Sequence, residues 1–89
     1  MSFLIAVDDS LHNIMDALRE KGYQTVELTT ADFRDVDAYV IDQSNEDLVR
    51  IKNTIGDEPV IAASDNDTDR VIRELRDKLK YYEKEINLP

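Results

Sequence analysis

Three short, uninterrupted apolar runs restrict what this chain can fold into: Phe-Leu-Ile-Ala-Val at residues 3–7, Ala-Tyr-Val-Ile at 38–41 and Pro-Val-Ile-Ala-Ala at 59–63. A strand with one face in water alternates apolar and polar residues, whereas a strand covered on both faces reads as a continuous β-branched run. Each run halts at polar or acidic residues, namely Asp8-Asp9, Asp42 and Ser64-Asp65, and each is followed by apolar residues at helical spacing. Strands that alternate with helices in this way specify a parallel sheet with helices packed on it.

The remaining elements fall between these anchors. Leu11, Ile14, Met15 and Leu18 mark a first helix, with Asp9 or Ser10 as its N-cap and Gly22 placed for a left-handed C-cap. Residues 23–28 combine Thr25, Val26 and Leu28 with Gln24 and Glu27, a more polar strand suited to a sheet edge. Residues 29–36 show no sustained periodicity and are too few for a crossover helix, so they predict an extended link or a single turn. Leu48, Ile51 and Ile55 mark a second helix, capped by Ser44 or Asn45 and ended by Gly56. Pro59 fits a strand start, and residues 64–67 offer several N-caps to a third helix carrying Val71, Ile72, Leu75, Leu79 and Tyr82 on its apolar side.

Parallel connections are right-handed, and the two most apolar strands, the first and third, belong side by side in the middle. The expected architecture is an α/β fold: a small four-stranded parallel sheet of order 2-1-3-4, covered by about three helices, in a single domain over residues 1–89. No internal repeat, low-complexity stretch or linker interrupts it.

Composition narrows the partners. The chain has 89 residues, with 20 acidic against 11 basic, a formal charge of −9. That charge repels phosphate backbones and anionic lipid heads, so neither nucleic acid nor a membrane surface is expected as a partner. The apolar start is too short for a membrane span and runs into two aspartates, which predicts a cytoplasmic protein. With no cysteine there is no disulfide, thiolate zinc site or cysteine nucleophile, and the single His12 cannot build a histidine-rich metal site. His12 also lacks a partner that would make it a general base.

In open parallel sheets ligands sit beyond the carboxyl ends of the strands, where strand order reverses, here between the first and third strands. That mouth receives Asp8, Asp9 and Asp42, with Ser64, Asp65 and Asp67 beside them. Carboxylates at the helix caps repel a second anion, so a nucleotide without a bridging cation is not expected. Asp8, Asp9 and Asp42 are instead candidate ligands for a hard cation, Mg²⁺ or Ca²⁺, which takes a few carboxylates and completes its shell with water. The plainer reading of the same residues, and the one that ordinary strand ends favour, is that Asp9 and Asp42 cap helices and Asp8 is solvated. No other cofactor is implied.

Residues 4–9, 39–42 and 60–64 resemble the strand ends of response-regulator receivers. That resemblance implies Asp42 as a phospho-accepting aspartate and Ser64 as the neighbouring hydroxyl. The sequence departs from receivers by lacking a fifth strand, the lysine after it and a helix between strands two and three, so the charge that holds an acyl phosphate is missing. A resemblance over most of the chain is to the YkuS family of small uncharacterised bacterial proteins. It is carried by residues 5–11, by Ala-Leu-Arg-Glu-Lys-Gly-Tyr at 17–23 with Val26 and Leu28, by residues 37–41 and 60–64, and by the final helix to Leu79. It implies a compact α/β unit and brings no chemistry. Where that family tends to place glycine after the third and fourth strands, this chain has Asp42-Gln43 and Ser64-Asp65.

A helix over residues 68–86 would be about 28 Å long at 1.5 Å per residue and would overhang strands of five or six residues. The overhang carries Tyr81, Tyr82, Ile86 and Leu88, and amphipathic aromatics beyond a core are common interface anchors. With no catalytic constellation legible, the expectation is not an enzyme but a regulatory or protein-interaction module. It would act through its C-terminal helix on a second copy of itself or on another protein, with cation binding or a degenerate receiver role at Asp8, Asp9 and Asp42 as the alternative.

Overall fold

The computed structural model describes residues 3–30, 35–54 and 57–86, the side chains of residues 30, 54 and 80–86 excepted. The elements run β1 (Leu4–Val7), α1 (His12–Glu20), β2 (Gln24–Glu27), a 3-10 turn (Leu28–Thr30), β3 (Ala38–Asp42), α2 (Leu48–Thr54), β4 (Val60–Ala63) and α3 (Thr68–Ile86). The four strands form one parallel sheet in the order β2-β1-β3-β4. The expected α/β class and the strand order 2-1-3-4 hold. Ile55 and Gly56, expected to finish the second helix, lie outside the described residues, as does Leu88.

Burial follows the apolar runs. In β1 and β3 every residue from Ile5 to Val7 and from Ala38 to Ile41 is buried, as central strands under two layers require. The edge strand β2 leaves Gln24 and Glu27 exposed. Alternation along the strands divides the core in two. On one face Ile5, Val7, Ala38, Val40, Ile61 and Ala63 meet Leu11, Ile14 and Leu18 of the α1 region and Val71, Leu75 and Leu79 of α3. On the other, Ala6, Tyr39, Ile41 and Val36 meet Leu48 and Ile51 at the short helix α2. Right-handed crossovers produce this division, because the chain moves outward from β1 to β2 on one face and back across β1 to β3 and β4 on the other.

The α1–β2 junction shows how one residue fixes a turn. Gly22 has φ +95°, and the helix closes with Tyr23 N–H donating to the Leu18 carbonyl (3.1 Å) and Gly22 N–H to the Arg19 carbonyl (3.0 Å). These are the paired bonds of a Schellman motif, and the half-buried Tyr23 packs against the core that contains Leu18. The link from β2 to β3 contains the single 3-10 turn and no crossover helix among its described residues. At its far end Asp37 ties β3 to β1: its N–H donates to the Leu4 carbonyl and its carboxylate Oδ2 accepts from Leu4 N–H, both at 2.8 Å. No described helix is long and apolar enough to cross a membrane.

Candidate functional site

β1 and β3 end side by side, with Asp8 N–H donating to the Val40 carbonyl (2.8 Å), and this delivers Asp8 and Asp42 to one place. Asp8 Oδ2 accepts from the Asp42 N–H (3.1 Å) and from Asn45 Nδ2 (2.9 Å). Its Oδ1 accepts from the Ser10 N–H (3.3 Å). Asp42 Oδ1 accepts both the N–H and the hydroxyl of Ser44, at 3.0 and 2.7 Å. Asp42 Oδ2 lies 2.8 Å from the Ser10 hydroxyl oxygen, which also stands 3.2 Å from Asp8 Oδ1. A hydroxyl has one proton to give, so the shorter contact takes it and Ser10 bridges the two strand ends.

These bonds explain the acidity of both carboxyls. Burial pushes Asp8 up, but the Asn45 amide, the Asp42 N–H and the Ser10 groups together outweigh it and hold the carboxyl below its ordinary value of 3.8. The Ser44 N–H, then the Ser44 and Ser10 hydroxyls, lower Asp42 in the same direction. Both are carboxylates at neutral pH, and their oxygens already accept from the protein's own donors.

Asp9, the third residue of the expected cation set, turns elsewhere. Its Oδ2 accepts the Thr29 hydroxyl (2.8 Å), which ties β1 to the end of β2. Its Oδ1 is buried without a hydrogen-bond partner. Among the described residues no group of three or more histidine, aspartate or glutamate side chains is arranged to hold a metal ion. The mouth thus joins Asp8 with Asp42 and separates Asp9 from them.

The fourth strand end forms a second network. Ser64 N–H and its hydroxyl both donate to Asp67 Oδ2 at 3.1 Å, and Arg70 Nη2 donates to the same oxygen at 3.1 Å. These bonds, the Ser64 N–H first and Arg70 next, hold the Asp67 carboxyl below its ordinary value. Ser64, nominated by the receiver resemblance as the hydroxyl beside Asp42, therefore gives its proton to Asp67. The described residues contain no fifth strand. Asp65 turns the other way, its Oδ1 accepting from the N–H groups of Asn13 (3.0 Å) and Ile14 (3.3 Å) at the start of α1.

That last contact corrects the expectation for the first helix. Neither Asp9 nor Ser10 caps it; Leu11 occupies the N-cap position, makes no side-chain cap, and Asp65 supplies the acceptor from across the sheet. Sequence reasoning missed Asp65 and Asp37 as structural ligands, since a cap reaching over 52 residues leaves no local signature. The second helix meets its expectation more closely: Asn45 Oδ1 accepts the Asp47 N–H (2.8 Å) in an Asx turn just ahead of Leu48. His12 is exposed on α1. The side chains of Tyr81, Tyr82 and Ile86, the expected interface, lie outside the described residues.

Comparison with known proteins finds relatives by sequence. The sequence model of the Uncharacterised protein family (UPF0180) matches residues 4–78. A UPF0180 protein of Bacillus licheniformis is 31% identical over 81 residues, covering 90% of this chain and 100% of the relative. Another, of Geobacillus kaustophilus, is 32% identical over 77 residues, covering 85% of this chain and 96% of the relative. No solved structure matches the chain.

Proposed function

Because the chain belongs to the uncharacterised protein family UPF0180, of which YkuS is a member name, and inherits no activity from it, we propose from its own geometry that it is a non-enzymatic interaction module. Its contact surface is the end of α3, which docks on a second copy or on another protein. The observation that carries this reading is a mismatch of lengths. α3 has 19 residues, about 28 Å at 1.5 Å per residue, while the strands it packs on have four or five, about 13–17 Å. Leu79 is the last core residue of α3 among the described side chains, and the family match stops one residue before it. Beyond it the sequence supplies Tyr81, Tyr82 and Ile86, whose types suit a contact more than a solvated tail.

The strand-end carboxylates support the non-enzymatic half of the proposal. A catalytic acid or base must be aimed at substrate, and Asp8, Asp42 and Asp67 are instead engaged as acceptors for backbone amides, serines, Asn45 and Arg70. Light scattering on the full chain and on a chain ending at Lys80 tests the module. A full chain that associates, or captures a partner, where the short chain does not supports it. Two monomers and no partner refute it.

The unpartnered Oδ1 of Asp9 favours one competing reading, a hard cation at the mouth that recruits Asp9 to Asp8 and Asp42. Titration with Mg²⁺ or Ca²⁺ followed by amide NMR decides between them. Shifts confined to Asp8, Asp9, Asp42 and their neighbours establish the cation, and unchanged spectra remove it.

A further inference from the structure

β4 is an edge of the sheet, and two of its outward backbone groups are paired by side chains. Tyr39 N–H donates to the Pro59 carbonyl and Gln43 N–H to the Ala63 carbonyl, each at 2.9 Å. Backbone groups alternate sides with period two, so the carbonyl of Ala62 and the N–H of Ser64 face away from β3. Arg70 Nη2 donates to that Ala62 carbonyl at 3.1 Å, and Asp67 Oδ2 accepts that Ser64 N–H at 3.1 Å. Arg70 and Asp67 are bonded to each other, and Glu74 Oε1 accepts from Arg70 Nη1 at 3.1 Å.

In a parallel ladder one residue of a further strand would donate its N–H to the Ala62 carbonyl and accept the Ser64 N–H. The two side chains perform both acts at that position. We propose that the Asp67–Arg70 pair stands in for a residue of a fifth strand and guards the β4 edge against strand pairing with a second copy of this chain. A second copy is the occupant because β4 is Val-Ile-Ala-Ala, an uncharged edge in a chain of charge −9, while the opposite edge β2 carries Glu27. Within Val60–Ala63 two copies of β4 set no charged residue opposite another. Exposed, uncharged, β-prone edges pair in this way, and proteins block them with charged side chains.

Arg70→Ala tests the guard, read by light scattering over a concentration series. The variant is expected to gain an association step, doubling the mass of the wild-type species. Adding Ala62→Pro abolishes that step, because residue 62 points its N–H outward and proline there spares the β3–β4 ladder. The step also persists in Arg70→Ala made on the chain ending at Lys80, which separates it from association through α3. If circular dichroism shows Arg70→Ala unfolded, Arg70→Lys replaces it, since a compact ammonium lacks the two separated nitrogens by which the guanidinium reaches Glu74 on one side and Ala62 and Asp67 on the other. A folded variant with the wild-type mass at every concentration, or an association that Ala62→Pro does not reverse, overturns the proposal.

Discussion

Aspartates at strand ends divide by the donors they meet. Asp8 and Asp42 meet each other's strand end, Asp9 meets Thr29, Asp65 meets α1 and Asp67 meets Arg70. The sequence shows that they gather at one edge of the sheet, since that follows from strand order. It does not show which oxygen each one satisfies, because the partners of Asp65 and Asp37 lie 52 and 33 residues away. Removing the long-range cap in Asp65→Ala is expected to cost about 1 kcal/mol in urea unfolding, while Asp65→Asn, which keeps an acceptor, loses less. The acid response follows from the depressed carboxyls. Asp8, Asp42 and Asp67 have folded values below the unfolded 3.8, so their contribution is complete above that pH and is lost as pH falls through the lower folded values. Urea midpoints measured between pH 5 and pH 2 should drop along this limb, and Asp8→Asn should flatten it.

Elements were legible wherever the apolar period was strong. The runs of β1 and β3 have neighbours on both faces, so they appear as unbroken apolar words. Their ends were harder to read. α1 starts at His12, later than Ser10, because its cap comes from Asp65 in a different part of the chain. The other end of α1 was predictable, since Gly22 announces it in one letter. An added Cβ at Gly22 meets nothing within 4 Å, so the cost of Gly22→Ala is the left-handed φ alone, roughly 1–2 kcal/mol. In α3 the two halves should behave differently. Leu75→Ala, which empties a fully buried site, is expected to cost about 2–5 kcal/mol, whereas ending the chain at Lys80 leaves every described core residue in place and preserves the thermal transition.

At the scale of the whole molecule, charge and size set the terms. Among the described residues sixteen buried apolar residues form the two cores, and the −9 net charge opposes their compaction. Salt at pH 7 should therefore raise the melting temperature as it increases from about 0.01 M to about 1 M, where the Debye length falls from roughly 30 to roughly 3 Å. A small domain under such repulsion gains from burying surface against a partner, which is the role assigned to the end of α3. The measurement that bears on this most directly is the solution mass of the full chain and of the chain ending at Lys80, taken side by side with a search for captured partners. The account predicts association that the full chain makes and the shortened, still folded chain does not. Equal monomeric masses with no partner captured by either would contradict it.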